Sequence, residues 1–193
     1  MRRLVLCTGN QGKVAELKAL LPATFELLGA TTVGLPTELP ETGTTLEANA
    51  MEKARYAFDR CGLPCIADDT GLEVDALGGA PGVYSARYAG PQRDPKANMA
   101  RLLMELEGKE RAARFRTVIA LIDEQGALTV EGVVRGSIAG APRGRGGFGY
   151  DPVFVPEGWD RSFAEMDLAA KNAISHRRRA VDALVAKLAT RYR

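Results

Sequence analysis

Apolar residues near the start of the chain form one short block and then a helical repeat. Residues 4–7 are continuously apolar, as in a buried strand, and the glycine-containing loop TGNQGK follows them. Apolar side chains then recur at helical spacing as far as Pro22, at Val14, Leu17, Leu20 and Leu21. The pattern predicts a strand, a loop and a helix in that order.

The rest of the chain alternates between strand and helix patterns. The predicted elements are a strand at residues 25–28, a long loop at 35–45, strands at 65–67 and 72–77, a helix at 95–106 and an antiparallel hairpin from runs at 113–123 and 128–138. A last helix carries the apolar stripe Val181, Leu184, Val185 and Leu188.

A further helix is predicted after the long loop. Thr44 and Glu47 have the spacing of a capping box, so we expect the helix to begin there and to continue to about residue 60. Asn49 and Lys53 are four residues apart and would share one face of this helix.

Strands that alternate with helices predict an α/β fold, and the hairpin predicts a mixed sheet. A chain of 193 residues is long enough for a substantial core, so we expect residues 1–193 to form a single domain.

The composition is that of an ordinary globular protein, with 46% hydrophobic and 26% charged residues. No apolar run approaches the ~20 residues that span a membrane, and the apolar patch near the N-terminus is too short for a signal peptide. We therefore expect a cytoplasmic protein with no membrane association. Cys7, Cys61 and Cys65 are odd in number, and the last two have the spacing of neither a zinc knuckle nor a redox pair, so we expect reduced, structural thiols.

The formal net charge of +2 is nearly neutral, so binding of a polyanion requires a local cluster of basic residues. The run Arg177, Arg178 and Arg179 is one candidate, but on a helix these side chains point in different directions. A solvated face is the favoured interpretation, and we expect no nucleic-acid partner.

Two adjacent acids, Asp68 and Asp69, follow a short apolar stretch. Neighbouring carboxylates repel each other unless a cation lies near them or one keeps its proton. Oxygen ligands at a strand end favour Mg²⁺, while the alternative is a solvated turn.

The loop TGNQGK combines features that attract an anion. It places backbone N–H groups at a helix N-terminus together with Thr8, Asn10 and Lys13. Alternatively, Thr8 and Asn10 only cap the helix. The glycine spacing excludes a P-loop, and the GRGGFG segment precedes a strand pattern, which excludes a dinucleotide-binding loop.

Two aromatic residues, Phe148 and Tyr150, lie in a glycine-rich loop where an exposed ring could stack on a base. Core packing of the rings is the alternative and, from this loop alone, the favoured interpretation. The segment KNAISHRRRA adds Lys171, Arg177 and His176, the only histidine, although a histidine beside a serine is often a polar cap residue.

Six motifs in register, between residue 8 and about residue 180, resemble the inosine triphosphate pyrophosphatase family. They are TGNQGKVAEL, ETGTTLEANAMEKA, ADDTGLEVDALGGAPGVYSARYAG, GGFGYDPVF, SFAEM and KNAISHRRRA. The resemblance implies an elongated α/β fold with two lobes around a nucleotide-binding cleft, and a homodimer. It also implies Mg²⁺-dependent hydrolysis of non-standard purine triphosphates (dITP/ITP, XTP/dXTP) at the α-phosphorus, which gives a monophosphate and pyrophosphate.

The resemblance also implies residue roles. Asp69 is expected to be the catalytic proton acceptor and, with Glu41 and the neighbouring Asp68, to hold the metal. Many relatives have an acid just before the residue matching Glu41, where this chain has Pro40, so the resemblance assigns the loop ligand less firmly than Asp69. The expected substrate-binding residues are Thr8, Gly9, Asn10, Gln11, Gly12, Lys13 and Lys53 for the phosphates, and Thr70, Phe148, Gly149, Tyr150, Asp151, Lys171, His176 and Arg177 for the rest of the nucleotide.

Two other functions remain open from the residues alone. One is a Maf-like pyrophosphatase that acts on other modified nucleotides, which the Phe148 loop and the SHR run disfavour. The other is a non-catalytic nucleotide sensor, which the presence of Lys13 together with Asp68 and Asp69 disfavours.

Overall fold

The computed structural model describes residues 2–192 of the chain. Its strands are β1 (Arg2–Leu6), β2 (Phe25–Gly29), β3 (Cys65–Val74), β4 (Ala112–Asp123), β5 (Gly126–Ile138) and β6 (Phe154–Pro156). Its α-helices are α1 (Gln11–Leu20), α2 (Leu46–Cys61), α3 (Pro95–Glu105), α4 (Leu168–Ile174) and α5 (His176–Arg191).

The strands form one mixed sheet in the order β2-β1-β3-β4-β5-β6. Strand β1 is parallel to both β2 and β3, while β5 and β6 are antiparallel. Only Glu124 and Gln125 connect β4 to β5, and so short a connection joins antiparallel neighbours. The predicted α/β fold with a mixed sheet and a hairpin is therefore confirmed.

The chain divides into two compact units. Unit 1 contains residues 1–69, 117–132 and 177–193, and unit 2 contains residues 70–116 and 133–176. Each unit has its own group of buried apolar side chains. None of the helices in residues 2–192 is long and apolar enough to cross a membrane.

The core of unit 1 confirms the predicted apolar stripe of the last helix. Val181, Leu184 and Leu188 of α5 are buried with Leu17 of α1 and Ile66 of β3. Burial of such side chains contributes about 1.5–3 kcal/mol each, so this contact holds α1 and β3 in place.

The core of unit 2 is rich in aromatic residues. The rings of Phe115 and Phe154 meet edge to face at a centroid distance of 4.7 Å, and Phe163 packs beside both rings. Leu72 of β3 and Leu102 of α3 complete this core. The packing of these rings holds β6 and the segment around Phe163 against β4.

Two predicted boundaries are wrong. The N-cap of α2 is Thr45, whose side chain accepts a hydrogen bond from Ala48 N, and not Thr44. The acids Asp68 and Asp69 do not end a strand, because β3 continues through both of them to Val74. A solvated turn at these acids is thereby excluded.

A close backbone approach in unit 2 requires glycine at position 71. A Cβ atom built on Gly71 would lie 2.6 Å from the carbonyl oxygen of Gly82, whereas one on Gly140 would meet nothing within 4 Å. The contact at position 71 is with backbone, which cannot move aside as a flexible side chain can.

We predict that Gly71→Ala lowers the free energy of unfolding by about 1–3 kcal/mol, because the added methyl group overpacks the site. Urea denaturation of the wild-type protein and of the variant measures this loss. Gly140→Ala is the matched control and is expected to change the stability by less than about 0.5 kcal/mol. Equal stabilities of the two variants would contradict the role of the Gly71 contact.

Candidate active site

The TGNQGK loop leads from β1 into α1 and caps that helix. Asn10 Oδ1 accepts a hydrogen bond from Lys13 N at 3.2 Å, and Thr8 Oγ1 accepts one from Asn10 N at 3.2 Å. The capping interpretation is thus correct for Asn10, whereas Thr8 binds the N–H of the capping residue and not of the helix. Gly9 and Gln11 are exposed, and Gly12 is half-buried.

Asp68 lies at the centre of a buried set of ion pairs in unit 1. Its Oδ2 atom is 3.1 Å from Lys13 Nζ and 3.2 Å from Arg177 Nη2. The other side of the Arg177 guanidinium forms an ion pair with Glu16 of α1. Arg177 and Asp68 are each 1% exposed, so both charges depend on these partners.

The surroundings of Asp68 favour its ionised form. Burial acts to raise the pKa of the carboxyl, but the nearby charges of Lys13 and Arg177 outweigh burial and hold this pKa well below its usual range. Burial lowers the pKa of Lys13, and the charges of Lys53 and Arg177 lower it further against the opposing effect of Asp68.

Asp69 is held by two residues of α2. Asn49 Nδ2 donates to Asp69 Oδ2 at 3.0 Å, and Lys53 Nζ lies 3.9 Å from Asp69 Oδ1. Lys53 also donates to Asp68 O at 2.7 Å and to Glu41 Oε1 at 2.5 Å. Asn49 and Lys53 share one face of α2, as predicted, and both side chains on that face contact Asp69.

The loop that carries Glu41 is fastened to α2 by side chains of that helix. Glu52 accepts hydrogen bonds from the backbone N and the hydroxyl of Thr42 at 2.7 and 2.8 Å. Asn49 Oδ1 accepts one from Gly43 N at 2.8 Å. Asn49 therefore positions both this loop and Asp69.

The pKa of Asp69 is shifted in the direction opposite to that of Asp68. Burial raises the pKa of Asp69, and the charge of Glu41 raises it further, while Lys53, Lys13 and the Asn49 hydrogen bond oppose the shift without cancelling it. For Lys53, burial acts to lower the pKa, but the acids Asp69 and Glu41 outweigh it and raise the pKa overall. Two adjacent carboxyls thus have pKa values that are pushed apart, as in many acid–base sites.

Among the described residues, the ion pairs given above join three cations and four acids of unit 1, and these seven residues have a formal net charge of −1. They form the charged cluster of unit 1 and are Lys13, Glu16, Glu41, Lys53, Asp68, Asp69 and Arg177. This balance disfavours a polyphosphate unless a further cation joins it.

Glu41 and Asp69 are suited to hold that cation. Their side chains are 29% and 12% exposed, and one ammonium group lies beside both carboxylates. Across residues 2–192 no three His, Cys, Asp or Glu side chains are grouped to enclose a metal. Mg²⁺ commonly uses only one or two carboxylates together with water and phosphate oxygens, so the donor set fits that ion.

A second polar group lies in unit 2, where Lys171 of α4 meets the glycine-rich loop. Lys171 Nζ is 2.7 Å from Asp151 Oδ2 and 4.7 Å from the centroid of the Phe148 ring. The same Asp151 oxygen accepts a hydrogen bond from Phe148 N at 2.8 Å. Gly147 has φ +70°, and a Cβ atom there would clash with the Asp151 carboxyl, so the loop requires this glycine.

The two aromatic residues of this loop differ in their surroundings. Phe148 is half-buried, whereas Tyr150 is only 5% exposed, belongs to the core of unit 2 and donates its hydroxyl to Ser85 O at 2.8 Å. The core-packing interpretation is therefore correct for Tyr150, because apolar contacts and a buried hydrogen bond hold its ring inside. Thr70 and Gly149 are half-buried.

His176 and Arg177 are adjacent in sequence but belong to different units. His176 in unit 2 is 3% exposed and stacks on Phe115 at a centroid distance of 4.6 Å. Arg177 lies in the charged cluster of unit 1. The solvated face predicted for the arginine run holds for Arg179 but not for Arg177.

Glu16 and Asn49 are site residues that the sequence motifs did not indicate. Glu16 follows Lys13 by three residues and Asn49 precedes Lys53 by four, so each lies on the same helix face as a lysine that the motifs did indicate. That spacing, combined with the burial of both side chains, is the signal that identifies them.

Solved structures of the same fold match this chain over nearly all its length. The Ham1 protein of Staphylococcus aureus matches with a TM-score of 0.90 and 38% identity, covering 98% of this chain and 100% of the other. A structure from Mycobacterium abscessus described as nucleoside-triphosphatase / dITP/XTP pyrophosphatase matches with a TM-score of 0.78 and 45% identity, covering 95% and 98% of the two chains.

Sequence relatives agree with these structures. The dITP/XTP pyrophosphatase of Porphyromonas gingivalis is 51% identical over 183 residues, which is 94% of each chain. That of Bacillus licheniformis is 48% identical over 193 residues, covering 97% of this chain and 98% of the other. The family model described as Ham1 family matches residues 4–187. The resemblance predicted from the six motifs is confirmed, and the chain belongs to the Ham1 family.

Proposed function

We propose that this chain hydrolyses non-standard purine nucleoside triphosphates (dITP/ITP and XTP/dXTP) to a nucleoside monophosphate and pyrophosphate. The proposal follows from the relatives named dITP/XTP pyrophosphatase. The observation in the structure that supports it best is the Asp69 carboxylate, held by Asn49 and Lys53 beside Glu41.

The triphosphate is proposed to bind in unit 1, at the N-terminus of α1. Backbone N–H groups there and the positive end of the helix dipole favour an anion. Lys13 and Lys53 add two ammonium groups. The proposed phosphate-binding residues are Thr8, Gly9, Asn10, Gln11, Gly12, Lys13 and Lys53.

Glu41 and Asp69, with Asp68 alongside, are the residues that would hold Mg²⁺. A bound Mg²⁺ would supply the missing positive charge, neutralise phosphate oxygens and make a bound water more acidic. Lys53 lies beside the carboxylates of Glu41 and Asp69 and holds both of them in position.

Asp69 is the proposed proton acceptor. A water that attacks the α-phosphorus loses a proton as the new P–O bond forms, and the bond to pyrophosphate breaks. Because the pKa of Asp69 is raised, its carboxylate is a better base than an ordinary aspartate. Asp68 is held ionised by Lys13 and Arg177, so it contributes negative charge and does not take up the proton.

Lys171 and Phe148 are the proposed base-recognition residues. Hypoxanthine and xanthine carry an acceptor oxygen at C6, whereas adenine carries an amino donor there. Lys171 can donate to that oxygen, and Phe148 lies beside its ammonium group. Substrate contacts of Thr70, Gly149, Tyr150, Asp151, His176 and Arg177 stay predictions, as do the homodimer and the cytoplasmic location.

The first test of the function is a panel of nucleoside triphosphates with Mg²⁺, scored for both products. We expect dITP, ITP and XTP to release pyrophosphate and the monophosphate, with dATP slower by on the order of 10⁴-fold, because a donor facing the amino group of adenine is left unpaired. Preferred turnover of modified pyrimidines would indicate a Maf-like enzyme, and binding without product release would indicate a sensor.

The same assay compares the contribution of Asp69 to kcat with that of an exposed acid six residues later in the chain. Asp69→Asn is expected to lower kcat for dITP by at least ~10²-fold while the protein still binds the nucleotide, because the general base is lost. Asp75→Asn, at an exposed acid of unit 2, is the matched control and is expected to keep the wild-type rate.

We also predict the direction in which two variants move the pKa of Asp69. Lys53→Met is expected to raise this pKa, because a cation that stabilises the carboxylate is removed, and Glu41→Gln is expected to lower it, because a repelling anion is removed. Carbon-13 NMR titration of the metal-free protein measures both shifts. A pKa that falls in Lys53→Met would be inconsistent with the charged cluster described here.

A further prediction concerns discrimination at C6 of the purine. In the double variant Lys171→Met/Asp151→Asn, the ratio of kcat/KM for dITP to that for dATP is expected to fall by about 10- to 100-fold, the value of a hydrogen bond from a charged donor. The second substitution avoids a buried, unpaired carboxylate at Asp151.

Phe148→Leu is the comparison for this variant. Loss of base stacking is expected to reduce kcat/KM by about 10-fold for both substrates, since stacking contributes about 1–3 kcal/mol of binding free energy per base and is insensitive to C6. An unchanged ratio in the double variant would remove Lys171 from base recognition.

A further inference from the structure

The three thiols of the chain lie together in unit 1. The Sγ atoms of Cys61 and Cys65 are 3.6 Å apart, and Cys65 also shares a hydrogen bond with Cys7. All three cysteines are free thiols. The sequence spacing of Cys61 and Cys65 did not predict a redox pair, but the fold brings their sulfur atoms into contact.

Cys61 is the end of one element that carries site residues, and Cys65 is the start of another. Cys61 is the last residue of α2, the helix of Asn49 and Lys53. Cys65 is the first residue of β3, the strand of Asp68 and Asp69. Only residues 62–64 connect the two cysteines, so a bond between their sulfur atoms would join helix and strand directly.

The backbone holds the two thiols on the same side of this turn. The Leu63 carbonyl oxygen accepts contacts from Cys65 Sγ at 3.2 Å and from Cys61 Sγ at 3.9 Å. Cys61 is half-buried, whereas Cys65 and Cys7 are each 0% exposed. A reagent from solution therefore meets Cys61 first.

We propose that Cys61 and Cys65 form a thiol modification site, at which a low-molecular-weight disulfide oxidises the pair to an intrachain disulfide. The Cys61 thiolate attacks one sulfur of the reagent, a mixed disulfide forms and one thiol leaves. The Cys65 thiolate then attacks Cys61 Sγ, the protein disulfide forms and the second thiol leaves. The two cysteines lose two electrons and two protons, and the reagent takes up both as two thiols.

The required movement is small. A disulfide bond is about 2.05 Å long, so the sulfur atoms, now 3.6 Å apart, must approach by about 1.5 Å. Cys7 is the competing partner of Cys65, but its complete burial keeps the reagent from it. The first step at Cys61 therefore directs the bond to the pair 61–65.

The environment of the thiols sets the rate of this reaction. Burial raises the pKa of Cys61, and the hydrogen bond shared with Cys7, together with burial, raises the pKa of Cys65. The reactive thiolates are therefore scarce at neutral pH. Below these pKa values, the rate is expected to rise by about 10-fold for each unit of pH.

The test is incubation of the purified, folded protein with excess glutathione disulfide. We expect the number of free thiols, counted after denaturation, to fall from three to one. The peptide map is expected to show a 61–65 bond and a loss of about 2 Da that a dithiol reductant reverses. Retention of all three thiols, or a stable glutathione adduct on Cys61 without closure of the bond, would overturn the proposal.

Three matched variants test the order of the steps. Cys7→Ala is expected to lose both remaining thiols, Cys65→Ala to stop at a glutathione adduct on Cys61, and Cys61→Ala to keep both thiols. Loss of two thiols in Cys61→Ala would assign the bond to Cys7 and Cys65 instead and refute the proposed pair. The peptide map of the wild-type protein decides the question even if a variant fails to fold.

Discussion

Neutralisation of one buried carboxylate, that of Asp68, is the constraint on which the rest of the site depends. An ionised group with 1% exposure is tolerated only when cations replace its lost hydration, and Lys13 and Arg177 do so. These contacts fix the first turns of α1 and α5 against β3. Glu16 in turn compensates Arg177, so the charge balance extends through two helices.

This arrangement gives adjacent acids different chemical properties. Asp68 has cations on its side chain and stays ionised, whereas Asp69 has an amide, a more distant ammonium and the repelling Glu41, so it binds a proton more readily. The difference arises because successive side chains of a strand point to opposite faces. Continuation of β3 through both acids is thus a chemical requirement as well as a feature of the fold.

Sequence patterns predicted β1, α1, α3, the hairpin and the apolar stripe of α5, because local periodicity determines them. Asp69 and Lys53 could be selected from motifs, and their contact follows from the face that Lys53 shares with Asn49. Local patterns could not predict the burial of Asp68, which depends on an arginine 109 residues away. Nor could they predict the partner of the buried Tyr150 hydroxyl, which donates a hydrogen bond to a carbonyl oxygen 65 residues earlier.

The order of segments along the chain has a consequence for biosynthesis. Unit 1 is discontinuous, and Arg177 follows all the residues of unit 2. While a ribosome is still making unit 2, Asp68 and Glu16 are already present without the guanidinium that forms ion pairs with both of them. Nascent unit 1 therefore cannot bury these acids at full stability, and its folding is completed only after the sequence of unit 2 has been translated.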